Sequence, residues 1–229
     1  MKNNIKNKIA VVTGGSQGIG FAIAEALSLK GAKVLIVSRN KKKLKLAKKK
    51  IASKNGIIEI LAGDVSKKNV PVKVIKKAKK LWGNVDILIN NAGGPPPGKL
   101  LEQSDSNWDK AINTNLLSTV RFSRAVIPSM RKKKWGRIIS ISSTIAKEPS
   151  PAMILSATSR AGVMSFSKVM AIEFAEYNIT TNVISPGGVF TNRLINLIQK
   201  DAKKKNKNFK KHLKDIEKTI PAKRFAKAF

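Results

Sequence analysis

At 229 residues, with no cysteine and one histidine, the chain can bury a sizeable core without staples, which excludes disulfides, thiolate nucleophiles, zinc–thiolate sites and multi-histidine metal centres. Its formal charge of +33 permits contact with polyanions, but the cations are mostly lysines spread over residues 41–50, 67–80, 131–134 and 200–214, without interleaved aromatics for base stacking. In a chain this rich in Lys, Asn and Ile the expectation is a solvated basic surface with no specific nucleic-acid role, and no uncharged apolar run reaches the roughly 18 residues of a membrane span.

Residues 1–15 place a charged stretch before an apolar one, but the apolar part, 9–13, is only strand length and no small-residue cleavage site follows it. A cytoplasmic location is expected. Residues 8–13 then predict a strand, 19–30 a helix, 33–38 a second strand and 42–53 a lysine-decorated helix. Strands at 57–61 and 85–89 flank a helix at 68–81, and a long helical pattern covers 105–132. A strand at 137–141, a helix at 156–177 and a strand at 181–184 complete the alternation. Short, continuously apolar strands separated by helices imply a doubly wound α/β fold: a Rossmann-like parallel sheet, helices on both faces, three layers. With no internal repeat and no long linker, residues 1–229 read as a single domain.

Gly31 and Gly83 stop the first and third helices. The run Gly93-Gly94-Pro95-Pro96-Pro97-Gly98 can be neither helix nor central strand, so it is a loop beyond the 85–89 strand. That puts it at the carboxyl edge of the sheet, where open α/β folds bind ligands. Residues 200–214 are almost all polar and basic, a solvated helix or a mobile lid, and His212 within them is expected on the solvated surface.

Thr13-Gly14-Gly15-Ser16-Gln17-Gly18-Ile19-Gly20 follows the first strand and opens the first helix. Glycines let backbone approach a pyrophosphate closely, and the helix N-terminus offers it unpaired N–H groups. Gly14, Ser16, Gln17, Gly18, Ile19 and Gly20 are therefore candidate cofactor-binding residues.

The Gly14, Gly18 and Gly20 spacing, TGxxxGxG, resembles that of the short-chain dehydrogenase/reductase family. Further matches follow in family order: Asp64-Val65 at the adenine contact, Asn90-Asn91-Ala92-Gly93 as the NNAG element, Asn115 at the active-site asparagine, and Ser143 ending a GRIISISS strand. Pro186-Gly187-Gly188-Val189 with Thr191 resembles the loop that closes over nicotinamide. The likeness runs from about Lys8 to Phe229. It implies a nicotinamide dinucleotide held by the glycine turn, Ser38, Arg39, Asp64, Val65, Asn91, Ala92, Gly93, Pro186, Gly187, Val189 and Thr191, with no metal. The second strand ends Ser38-Arg39-Asn40 without the acid that NAD enzymes use on the ribose, and Arg39 can pair with a 2′-phosphate. NADP is therefore preferred to NAD.

One element of the pattern is missing. The family's proton donor is a tyrosine, with a lysine four residues later, and it lies 13 residues after the active-site serine. Counting from Ser143 gives Ser156 and then Arg160. Tyr177, the sole tyrosine, is about six helical turns further along. The catalytic candidates are Asn115, Ser143, Ser156 and Arg160, with Glu148 or a water as a replacement proton source. Two readings stay open. One is an oxidoreductase of a carbonyl or alcohol, resembling β-ketoacyl-carrier-protein reductases and acting on an acyl-thioester-linked ketone, with an altered site. The other is a non-catalytic dinucleotide-binding scaffold or sensor. The resemblance also implies a homo-oligomer, and a helix and strand that normally follow Pro221-Ala222-Lys223-Arg224-Phe225; their lack would leave an exposed sheet edge.

Overall fold

A computed structural model describes residues 5–228 of the chain, which divides into two compact units, one ending at Ser185 and the other starting at Pro186. The larger unit alternates strand and helix: β1 (Ile9–Thr13), α1 (Gly18–Leu29), β2 (Lys33–Ser38), α2 (Lys41–Ala52), β3 (Ile58–Ala62), α3 (Val70–Leu81), β4 (Ile87–Asn90). It continues through α4 (Asp105–Ala111), α5 (Ser118–Lys133), β5 (Gly136–Ile141), α6 (Ile154–Glu173) and β6 (Ile179–Ile184). All neighbouring strands are parallel, in the order β3-β2-β1-β4-β5-β6, which leaves β6 at an edge.

Two apolar layers cover the sheet. Val11, Leu35 and Leu88 face Val74 of α3 and Phe122 and Val126 of α5, whereas Val12, Val34 and Ile36 face Ala24 of α1 and Leu44 and Ile51 of α2. Alternate residues of each strand serve opposite faces, so these strands are apolar throughout, as a sheet buried on both sides requires. The doubly wound α/β reading from sequence is therefore the architecture found.

Strand and helix ends shift by a few residues, as in β6 and α6, and two stretches differ more. The predicted 105–132 helix is interrupted by a π-helical segment, Ile112–Leu117, between α4 and α5. The lysine-rich stretch of the smaller unit forms two helices, α7 (Asn192–Lys204) and α8 (Phe209–Thr219). The expectation that His212 is solvated is overturned: it is only 5% exposed, and its Nε2 lies 2.7 Å from Asp201 Oδ2. Ile198 and Ala202 of α7 are buried with it. Lysines dominate the composition of this stretch, but an apolar stripe through it was sufficient to fold α7 and α8 onto each other.

Candidate functional site

The strand order reverses between β1 and β4, and ligands of open α/β sheets bind at the carboxyl ends of strands at such a switch point. Both flanking strands end in the marked motifs. Gly14 and Gly18 adopt φ of +62° and +58°, which side-chain-bearing residues reach only with strain. A Cβ at Gly14 would fall on the carbonyl oxygen of Asn91, and one at Gly20 on the Asn91 amide. Asn91 fastens the two strand ends together: its N–H donates to Thr13 Oγ1 at 2.8 Å, and its Nδ2 donates to the Thr13 and Gly14 carbonyls at 3.2 and 3.4 Å.

This turn fits a dinucleotide. Gln17 precedes α1 in an extended conformation without capping it by its side chain, and no acid occupies the first turn. The α1 N-terminus therefore carries uncompensated N–H groups and positive dipole beside a glycine-lined cradle, which suits a pyrophosphate. Ser16 is half-buried beside it, Gln17 is exposed, and Ile19 packs against the layer under α1 and α2. Ala92 is half-buried, and a Cβ on Gly93 would meet open space. Ser38 ends β2 with its Oγ enclosed and without a hydrogen-bond partner, and the exposed Arg39 follows it. Asp64 accepts from Ser66 N–H at 3.0 Å and Ser66 Oγ at 2.8 Å. Desolvation pushes its pKa up, but these two bonds and the charges of Arg39 and Lys67 prevail and hold it below its ordinary value. Val65 packs against the layer under α3 and α5.

The catalytic candidates lie on α6, in the turn after β5 and in the π-helical segment before α5. Asn115 lies in the π-helical segment, 4% exposed, and donates through Nδ2 to Ala111 O at 3.2 Å and Ser159 Oγ at 3.3 Å. Its Oδ1 is enclosed and unpartnered. A π-bulge widens the helix by one residue and is commonly found at functional sites; here Asn115 is turned onto α6 one helical turn from Ser156. Ser143 is half-buried and begins a short 3₁₀ turn, its Oγ accepting from Ile145 N–H at 3.4 Å, so its hydroxyl proton is not engaged in that bond. Ser156 is 4% exposed. Arg160 is turned towards β5, its Nη1 donating to the carbonyls of Ile141 and Ser142 at 2.8 and 2.9 Å. Glu148 is exposed.

In the smaller unit, Thr191 caps α7 by accepting from Leu194 N–H at 3.4 Å. Pro186, Gly187 and Val189 precede it. Val189 bridges to Ala226, and Phe190 N–H donates to Ala226 O at 2.8 Å.

Sequence reasoning missed Thr13, whose hydroxyl donates to Ile89 O at 3.3 Å while accepting from Asn91, and Ser159, which bridges Asn115 to α6. It also passed over Lys43, which donates to Gln17 Oε1 at 2.9 Å. Thr13 was legible as the first letter of the glycine motif; Lys43 was hidden among identical neighbours. No group of three or more His, Asp or Glu side chains suited to a metal occurs among the described residues, nor a helix long and apolar enough to cross a membrane.

Residues 8–202 match the model of the short chain dehydrogenase family. The chain is 38% identical over 189 residues to the 3-oxoacyl-[acyl-carrier-protein] reductase FabG of Escherichia coli, covering 82% of this chain and 76% of that protein. Its fold superposes with a TM-score of 0.93 on L-sorbose reductase from Gluconobacter frateurii complexed with NADPH and L-sorbose, at 31% identity over 100% of this chain and 88% of that one. An actinorhodin polyketide ketoreductase solved with NADPH gives a TM-score of 0.94 at 27% identity, covering 97% and 86% of the two chains. With its glycine turn at the switch point of a parallel sheet and this breadth of match, the chain belongs to the short-chain dehydrogenase family of oxidoreductases.

Proposed function

We propose that this protein is an NADP-dependent oxidoreductase of a carbonyl or alcohol, with acyl-thioester-linked ketones as the substrate class, working through a site in which Ser156 and Arg160 stand where relatives carry tyrosine and lysine. The carrying observation is the junction of Gly14 and Asn91 at the sheet's switch point, below an α1 N-terminus with no capping side chain. The NADPH held by the L-sorbose reductase and the polyketide ketoreductase supports the cofactor, and the FabG relatives support the substrate class.

A bound nicotinamide supplies a hydride to the carbonyl carbon, so the protein's task is to orient the carbonyl and deliver a proton to its oxygen. Ser143 keeps a hydroxyl proton with which to bind that oxygen. Ser156 is a poor proton source, because an aliphatic alcohol is a far weaker acid than a phenol of pKa about 10. Arg160 is permanently charged and relays no proton. Its nearest use is electrostatic, at the end of β5 beside Ser143. General acid catalysis commonly supplies about 10²–10⁴-fold, and turnover should be low by that order relative to an intact relative.

The test is titration of NADPH and NADH into the purified chain, followed by turnover with 3-oxoacyl thioesters and simple ketones. Tight NADPH binding with slow, substrate-dependent oxidation supports the reading. Binding with no turnover on any carbonyl would move it to a dinucleotide-binding scaffold, and absence of binding would overturn both.

A further inference from the structure

Helices α3 and α5 lie side by side on one face of the sheet, where Val74, Ala78, Phe122 and Val126 share one apolar layer. A shallow groove of about 170 Å³ remains between the two helices, lined by Val72, Ile75, Lys76, Lys79 and Ala125. The small side chain of Ala125 leaves this room beside Val72 and Ile75. Val72 is 51% exposed. One half-exposed valine needs no partner, but joined to Ile75 and Ala125 in a concavity it offers surface that an incoming apolar side chain can cover.

The electrostatics of the two helices are one-sided. Each carries five lysines or arginines and no acid. Some of these cations are engaged inward: Lys77 donates to Ile60 O at 2.9 Å, Arg121 to Ser66 O at 2.9 Å, and Lys133 pairs with Asp86. Lys76 and Lys79 in the groove, and the exposed Arg124 next to Ala125, enter no ion pair among the described residues. Lysines elsewhere do find acids, as Lys48 finds Glu59 and Lys54 finds Glu25. Like charges gathered along one groove repel, and a carboxylate placed among them relieves that repulsion.

These features select among partners. A chain of formal charge +33 repels a second copy of itself, and neither helix has a carboxylate to offer the other copy's cations. No aromatic lines the groove for base stacking, and its apolar residues are recessed rather than raised towards a lipid surface.

We infer that the groove between α3 and α5 is a docking site for an acidic amphipathic helix of a partner protein. The apolar stripe of that helix covers Val72, Ile75 and Ala125, and its flanking carboxylates meet Lys76, Lys79 and Arg124. Recognition of this kind reads apolar residues at i, i+3, i+4 and i+7 of the incoming helix. The surface shares no residue with the cofactor-binding and catalytic candidates, so docking here goes beyond the proposed activity and is separate from it.

The experiment is fluorescence anisotropy on the full chain with two labelled peptides of about 18 residues, long enough to hold a helix beside the 12 residues of α3. Both have the same composition of Glu, Leu and Ala; the leucines follow a helical stripe in one and are scattered in the other. At about 0.15 M salt the striped peptide should bind at least tenfold more tightly than the scattered one. Val72→Asp sets a carboxylate where the stripe must sit and should weaken binding at least tenfold. The triple variant K76Q, K79Q, R124Q should weaken it about tenfold and flatten its salt dependence. All four residues are exposed, so both variants should keep the parent's thermal melt. Failure of the striped peptide to bind, equal binding of the two peptides, or an unchanged affinity in V72D would each overturn the assignment. Oligouridine or phosphatidylglycerol vesicles whose binding Val72→Asp abolishes, and which the striped peptide fails to displace, would overturn it in favour of that other partner.

Discussion

The guanidinium of Arg160, in the second turn of α6, donates to the carbonyl oxygen of Ile141, the last residue of β5, at 2.8 Å. The same nitrogen reaches Ser142 O at 2.9 Å, and Ser142 Oγ returns a bond to Arg160 O at 3.4 Å. Arg160 thus joins helix to strand end immediately before Ser143. Hydrogen bonds from a charged donor contribute about 1.5–3 kcal/mol each when intact, less where solvent competes. Arg160→Met should therefore lower the melting temperature by about 4–8 °C, taking roughly 2 kcal/mol and 2–4 °C per kcal/mol for a chain of this size. Differential scanning calorimetry decides it, and an unchanged midpoint would mean that these bonds carry no stability.

The altered site proposed above is tested separately. On that proposal Arg160→Lys alone should leave turnover low, because position 156 still carries no phenol to donate. Ser156→Tyr with Arg160→Lys should raise single-turnover hydride transfer by about 10²–10⁴-fold. The burial of Ser156 makes the larger ring an overpacking risk, so the melt of the double variant must be compared with that of Arg160→Lys. A stable, cofactor-binding double variant with no gain in rate would show that the chain's proton comes from elsewhere.

Gly14 tests the cradle. Alanine there must adopt a left-handed backbone, at about 1–2 kcal/mol, and its methyl collides with the Asn91 carbonyl. Gly14→Ala should cost more than the left-handed penalty alone and weaken NADPH at least tenfold. Gly93→Ala, where a Cβ meets open space, should leave the melt unchanged. Equal stability of the two variants would contradict the close approach of the two strand ends.

The smaller unit should loosen in acid. The Lys205 hydrogen bond, then that of His212 against some desolvation, holds the Asp201 carboxyl below its ordinary value of 3.8. A depressed carboxylate contributes stability that is present above the unfolded pKa and lost as pH falls through the folded one. Amide exchange along α7 and α8 should therefore accelerate below about pH 4 and should change little with pH above it on account of this group. Asp201→Asn should flatten that acid limb and raise exchange at neutral pH. Identical acid profiles for variant and parent would remove Asp201 from the account.

Much of this protein is legible in its sequence. Continuous apolar strands such as 33–38 can be buried only on both faces, and a glycine turn between strand and helix can serve only a few purposes, so the sheet and its cradle followed from local chemistry. Tertiary structure decided what depends on residues far apart in the chain. It buried His212, because the stripe of Ile198 and Ala202 folds α7 onto α8 whatever the lysines around it suggest. It set Arg160 against the carbonyls of β5, since a side chain's direction is chosen by the acceptors that packing brings within reach. It also singled out Lys43 from a helix of near-identical lysines, because its contact with Gln17 exists only once α2 has packed beside the turn that follows β1.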